Sequence, residues 1–229
     1  MAPGRTREVA FADLPSGDLH AGLTDDFKRL AVEGAPHGLA LDLGCGDGRV
    51  AFFLAPHAKK VVGLDKDARA VEHAKQRARA LGLANLELHA ADVEKSPVAR
   101  FAPGGADVVV SNLFLSKAVV EHARDALRPG GAFVFTAFGP RQWQEAGGSP
   151  FAHSEEEVRG WLTGAGLKVE AFEVEDTRVR FNEMAQVRAY LGEETVQKWL
   201  RDGRWDKLVA SFAKAKVLTE SRLTARARR

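Results

Sequence analysis

The sequence predicts an α/β protein: a doubly wound, seven-stranded, mostly parallel sheet with helices on both faces and a reversed C-terminal strand. Three observations carry this expectation. First, six short apolar runs recur along the chain, at Leu39–Leu43, Lys60–Leu64, Leu86–Ala90, Asp107–Ser111, Ala132–Phe138 and Leu167–Val174. They are apolar nearly throughout rather than alternating, as strands covered on both faces must be. Second, amphipathic stretches of helical period separate them, and successive βα units with right-handed crossovers wind into such a sheet. Third, an apolar-polar alternation over Val217–Ala227 supplies a last strand, an edge-region element pairing with its predecessor.

Taken in order, residues 1–20 read as irregular, broken by Gly4, Pro15 and Gly17, and residues 1–34 form an N-terminal cap segment. The remainder, 35–229, reads as one domain. Thr24 before Asp25 and Asp26 starts a helix, with acidic groups in its first turn. In Ala68–Leu81 the positions Val71, Ala74, Ala78 and Leu81 fall on one stripe, and Gly82 follows as the left-handed stop. Ser116 caps a helix through Leu127, ended by Pro129-Gly130-Gly131. Ser154 with Glu157 has capping-box spacing for a helix to about Thr163. Helical stretches at Glu183–Leu191, Thr195–Leu200 and Asp206–Lys214 make an insertion at about 182–215 before the last strand.

A chain of 229 residues is long enough for a sizeable core, and 45% hydrophobic with 28% charged residues is ordinary for a globular protein. The formal net charge of +2 sets up no global field toward nucleic acid or anionic lipid. Arg222, Arg226, Arg228 and Arg229 gather at the C-terminus, as a short solvated tail or, alternatively, a binding patch. Cys45 is the only cysteine, so neither an intrachain disulfide nor a thiolate metal cluster can form, and no metal is expected. The N-terminus lacks the apolar run of a signal peptide and no stretch approaches a membrane span, so a cytoplasmic protein with no membrane partner is expected.

The chemistry concentrates in Leu39-Ala-Leu-Asp-Leu-Gly-Cys-Gly-Asp-Gly-Arg49, a strand entering a glycine-rich turn and then a helix. Gly44 and Gly46 let the backbone turn tightly and approach a ligand, and the helix behind offers free N–H groups. A dinucleotide site wants G-x-G-x-x-G, but here Arg49 holds the third glycine's place and Gly48 falls one residue early. Asp42, at the strand end, would repel a pyrophosphate and suits a ligand with a cationic amino group. Both features argue against a nicotinamide-dependent oxidoreductase. Asp65 ends the second strand, where a carboxylate can accept from both ribose hydroxyls. Asp92 follows the third, placed to accept from an adenine amino group while Val93 covers the ring. Each aspartate alone also reads as an ordinary loop residue. Three at successive strand ends converge on one crevice.

The string LDLGCGDGR, with GLD at Gly63–Asp65, AADV at Ala90–Val93 and LRPGG at Leu127–Gly131, resembles the class I S-adenosylmethionine-dependent methyltransferases. It is most similar to the small-molecule type related to ubiquinone and biotin biosynthesis. The resemblance covers about Ala35 to Val174. It implies that the cofactor is S-adenosyl-L-methionine and that Gly44, Cys45 and Gly46 line its methionine side. It further implies that Asp42 works near the amino group, that Asp65 with Lys66 serves the ribose, and that Asp92 and Val93 hold the adenine. Asn112, in Val110-Ser-Asn-Leu-Phe114, then faces the methyl group. The family's sheet ends in a reversed hairpin, as the alternation over Val217–Ala227 also suggests.

With an activated sulfonium donor, positioning and desolvation supply much of the rate, and a general base is optional. No catalytic residue is singled out. The stretch after the fourth strand lacks the N/D-P-P-Y/F of adenine- and glutamine-modifying enzymes, and Cys45 is misplaced for cytosine-C5 chemistry. A small-molecule acceptor at oxygen, nitrogen or sulfur is expected, and nucleic acid is not. Candidate acceptor residues are His20, as base or surface histidine; Trp143, as stacking platform or loop anchor; and Arg178, with Arg180, as carboxylate-attracting or one solvated face. Asn182–Leu191, with Tyr190 packed under the sheet edge, loosely resembles the cap of carboxyl methyltransferases such as the malonyl-carrier-protein enzyme, which favours a carboxylate acceptor. The alternatives are an RNA methyltransferase, supported by the basic C-terminus, and a catalytically silent nucleoside-binding protein.

Overall fold

A computed structural model describes residues 4–14 and 22–229. The strands are β1 (Arg5–Ala10), β2 (His37–Leu43), β3 (Ala58–Asp65), β4 (Leu86–Ala90), β5 (Ala106–Asn112), β6 (Leu127–Phe138), β7 (Lys168–Arg180) and β8 (Val217–Arg228). The helices are α1 (Asp25–Val32), α2 (Arg49–Leu54), α3 (Ala68–Ala80), α4 (Lys117–Ala126), α5 (Glu155–Gly164), α6 (Met184–Leu191), α7 (Glu193–Asp202) and α8 (Arg204–Ala215). The strands hydrogen-bond in the order β1-β7-β8-β6-β5-β2-β3-β4. Pairings β2–β3, β2–β5, β3–β4, β5–β6 and β1–β7 are parallel. Strand β8 is reversed. The Gly130 amide donates to Arg229 O, the Thr136 and Thr224 hydroxyls meet at 3.4 Å, and the Gly139 amide donates to Ser221 O. Residue numbers rise on β6 as they fall on β8, which only antiparallel pairing produces.

Among the described residues the sheet has eight strands, not the expected seven. The extra one, β1, comes from the segment read as irregular. Its sequence RTREVA has no apolar run because it is a charged edge strand, held by ion pairs instead of burial. Arg5 pairs with Glu173, Arg7 with Glu175 at 2.9 Å, and Glu8 with Arg180.

Strand β8 is interior, between β7 and β6, not in the edge region, and all but two of its positions are buried. This corrects the C-terminal reading as well. Arg226, 6% exposed, pairs with Glu170 at 3.0 Å and donates to Leu30 O, while Arg228 reaches both Glu170 and Gly130 O. Arg222 pairs with Glu220 at 2.8 Å, and Arg229 donates to Leu127 O. The stretch is a strand whose arginines find partners within the fold, not a solvated tail. Basic residues in a run look solvated until their partners, tens of residues away in sequence, are folded against them.

The chain divides into two compact units. The larger comprises Leu23–Ala137, Glu156–Phe172 and Thr224–Arg229; the smaller comprises Met1–Gly22, Phe138–Glu155 and Glu173–Leu223. The larger unit's core joins Phe27 and Leu30 of α1, Val50 and Leu54 of α2, and Val71 and Ala74 of α3 to Ala40, Val61, Val108 and Val134 of the sheet. In the smaller unit α6, α7 and α8 bury Val187, Tyr190, Trp199 and Leu208 with Phe181 and Leu218. Among the described residues no helix is long and apolar enough to cross a membrane.

Local chemistry sets the helix ends. The Thr24 hydroxyl accepts from the Phe27 amide and caps α1; Ser116 accepts from Val119 and caps α4. Helix α3 ends in a Schellman turn, with Leu83 N–H on Ala78 O, Gly82 N–H on Arg79 O, and Gly82 at φ +67°. Val71, Ala74 and Ala78 are buried as the stripe predicts, but Leu81 is 61% exposed. It is the residue after the last helical turn, where the helical period no longer fixes direction.

Candidate cofactor site

Every cofactor residue expected from the sequence lies in the larger unit, at or just past the C-terminal ends of β2, β3, β4 and β5. The glycine-rich turn after β2 is internally satisfied. Gly44 and Cys45 both donate to Leu64 O, at 2.8 and 3.0 Å, Gly46 donates to an Asp65 carboxylate oxygen at 2.8 Å, and Gly48 donates to Cys45 O. The Gly44, Cys45, Gly46 and Gly48 amides are therefore spent in holding the turn. Gly44 (φ +77°) and Gly46 (φ +50°) adopt left-handed conformations. A Cβ on Gly46 would meet open space, whereas one on Gly44 would lie 2.7 Å from the Phe114 ring.

Asp42 is fully buried, and neither carboxylate oxygen has a hydrogen-bond partner. The Ala51 amide faces it without reaching hydrogen-bond geometry. Desolvation, with a further push from Asp65, raises its pKa to about 8. At the end of β5 the Asn112 side-chain oxygen is likewise buried and unpartnered. Two buried acceptors without donors are expensive, and the missing partner must be a donor or a cation.

Asp65 is already engaged through Gly46 and through the Asp67 amide at 2.8 Å, so its carboxylate is held fixed with lone pairs to spare. Lys66 follows it, and its charge helps hold the Asp92 carboxyl below the usual range. Desolvation opposes that shift; the Glu94 amide and Lys95 act with Lys66 to produce it. The Val93 side chain is buried, and its carbonyl is tied to His122 Nδ1 of α4 at 2.7 Å. The Cys45 side chain is buried against Gly63 and only its backbone belongs to the turn, and burial pushes its thiol far above the ordinary value.

The sequence missed what locks the β5 end. Leu113 sits at φ +57° with its amide on Thr136 O at 2.7 Å, strained backbone of the kind that collects at functional sites. The buried Ser111 hydroxyl reaches Leu43 O at 3.0 Å and also Phe114 O, joining the ends of β2 and β5. Arg77 of α3 pins the glycine-rich turn through Asp47 at 2.8 Å. No local pattern marks these residues, because their partners lie about 30 to 70 positions away.

The acceptor candidates fall elsewhere. His20 lies outside the described residues. In the smaller unit Trp143 donates from Nε1 to Glu220 at 3.1 Å and packs edge-on against Trp199, which is the anchoring geometry rather than an open stacking platform. Tyr190 is buried, with its hydroxyl donating to the same Glu220 oxygen. Arg178 and Arg180 both face Glu8. Among the described residues no group of three His, Cys, Asp or Glu is placed to hold a metal ion.

Comparison with known proteins agrees with this architecture. The profile of a family described as "Methyltransferase domain" matches residues 36–202. A Mycolicibacterium smegmatis protein named "probable S-adenosylmethionine-dependent methyltransferase" is 32% identical over 202 residues, covering 82% of this chain and 74% of that one. The malonyl-[acyl-carrier protein] O-methyltransferase of a Paenibacillus species is 34% identical over 114 residues, 46% of this chain and 40% of its own length. The crystal structure of YcgJ from Bacillus subtilis superposes with a TM-score of 0.68 at 14% identity, covering 90% of this chain and 99% of that one. The chain therefore belongs to the methyltransferase-domain family and is a class I S-adenosylmethionine-dependent methyltransferase.

Proposed function

We propose that the chain transfers the methyl group of S-adenosylmethionine to oxygen, nitrogen or sulfur of a small-molecule acceptor, with carboxylates among the candidates. The observation that carries the cofactor side is the pair of buried, unpartnered acceptors, Asp42 and Asn112. They fit a ligand bearing an ammonium and a sulfonium, and they fit no pyrophosphate. When bound, the cofactor supplies a methyl group already activated for displacement.

In this reading the residues of the chain bind and orient. Asp42 and Asn112 accept from the amino-acid end, and the Gly44–Gly46 backbone lies alongside it. Asp65, fixed by the turn, accepts from the ribose with Lys66 beside it. Asp92, kept ionised by its neighbours, accepts from the adenine amino group over Val93. The Ser111 bridge and the strained Leu113 hold Phe114 and Asn112 still, so that reacting atoms are aligned before the step.

For the acceptor, the support is negative for macromolecular chemistry. Arg222 and Arg226 of the basic C-terminus are engaged in ion pairs within β8 and to Glu170, and the only thiol is buried against Gly63. Carboxylate chemistry draws on the likeness to the malonyl-carrier-protein enzyme.

Calorimetric titration with S-adenosylmethionine, S-adenosylhomocysteine and NAD tests the cofactor side. The first two are expected to bind, and Asp65→Ala to weaken them by about 1–3 kcal/mol, the cost of losing a charge-assisted partner. Binding of NAD alone, or undiminished affinity in the variant, overturns the site. Release of S-adenosylhomocysteine that requires RNA, and that no small acceptor elicits, overturns the acceptor class.

A further inference from the structure

In the smaller unit, Thr6 of β1, Arg141 and Gln144 of the loop after β6, Asp176 and Arg178 of β7, and Thr219 of β8 enclose a pocket of about 270 Å³. This is near the lower end of the roughly 300–1,000 Å³ of ligand sites. We infer that it holds the carboxylate of a small organic acid.

The argument is one of charge and unused donors. Two guanidinium groups and one carboxylate line the pocket, leaving one net positive charge. The carboxylate is spent: Asp176, 2% exposed, gives one oxygen to Arg141 and the other to the Ser221 hydroxyl at 2.7 Å. Arg141 grips that first oxygen through Nε and Nη2, which leaves Nη1 uncommitted on a side chain 48% exposed. Arg178 is held more loosely. Its Nη1 lies 3.5 Å from Glu8, outside good hydrogen-bond geometry, because Arg180 already occupies the other Glu8 oxygen, with Nε at 2.8 Å. Glu8 is therefore mainly Arg180's partner, and Arg178 keeps its fork of donors open toward the pocket. The Thr6 hydroxyl adds a neutral donor.

Planar, paired donors of this kind match a carboxylate. A single net charge balances a monoanion, whereas a phosphate dianion would leave charge uncompensated. A bound cation would meet two arginines and no free acceptor carboxylate.

Calorimetry and ligand-observed NMR on protein saturated with S-adenosylhomocysteine, using hexanoate, hexanamide and inorganic phosphate as probes, decide the matter. Hexanoate is expected to bind at least about tenfold more tightly than hexanamide or phosphate, and Arg178→Gln to cost hexanoate at least about tenfold. Affinity for S-adenosylhomocysteine and the thermal midpoint should stay unchanged in that variant, and Arg178→Lys should recover part of the loss. Equal binding of acid and amide, tighter binding of phosphate, or an indifferent Arg178→Gln overturns the carboxylate site.

Discussion

At the scale of single residues, Asp42 is the most consequential side chain, because its cost in the free protein is what its ligand relieves. Burial lifts its pKa from the ordinary 3.8 to about 8. An acid raised in this way contributes stability that is full below about pH 4 and is lost as pH climbs toward 8, where the unfolded chain is ionised and the folded one resists ionisation. Asp42→Asn should therefore match the wild type near pH 4 and exceed it by roughly 1–3 kcal/mol near pH 8 in the absence of ligand, measured by denaturant melts. A cationic cofactor reverses the preference. Wild-type affinity for S-adenosylmethionine should rise from pH 6 to 8 as Asp42 gives up its proton, whereas Asp42→Asn should bind weakly with no such slope. Parallel pH profiles for the two proteins would remove Asp42 from the cofactor's amino group.

Secondary elements set the second scale, and here the junction between the β2 and β5 ends governs the site. Gly44 has no room and the wrong sign of φ for a side chain: +77°, with the Phe114 ring 2.7 Å from a notional Cβ. Gly44→Ala is expected to destabilise by about 2–4 kcal/mol, part from left-handed strain and part from the clash. Adding Phe114→Ala removes the clash and leaves about 1 kcal/mol of strain, so the double-mutant cycle should show a coupling of at least about 1 kcal/mol. Additive effects would mean that the ring does not rest on the turn. The same locking uses three amides of the turn: Leu64 O accepts from Gly44 and Cys45, and Asp65 accepts from Gly46.

For the molecule as a whole, β8 is the strand on which stability turns. Glu170 gathers Arg228 and Arg226, whose hydrogen bonds and charges hold its carboxyl below the usual value against the opposing effect of burial. A lowered acid stabilises above its unfolded pKa and loses that contribution as pH falls through the folded one. Glu170→Gln should therefore cost about 1–2 kcal/mol at pH 7, leaving Arg226 buried with poorer company, and the deficit should shrink below pH 4. Deleting residues 222–229 removes half of an interior strand, and the product should show no cooperative unfolding transition. A truncated protein that melts like the full chain would restore the tail reading.

The sequence by itself determined the winding of the sheet, the glycine-rich turn, the capping of α1, α3 and α4, and which strand ends carry Asp42, Asp65, Asp92 and Asn112. These are local properties: apolar runs, helical periods, capping residues and positive-φ glycines act within a few residues of themselves. Tertiary structure alone decided that RTREVA is a strand, that Arg222 and Arg226 are interior, that Cys45 turns into the core, and that Ser111 and Phe114 lock the site. Each depends on a partner remote in sequence, since a charge reads as solvated and a hydroxyl as unremarkable until folding supplies the opposite charge or the carbonyl. The unpartnered state of Asp42 is the clearest case: a strand-end aspartate is visible in one dimension, but that no donor reaches hydrogen-bond geometry with it is a fact of the packed core alone.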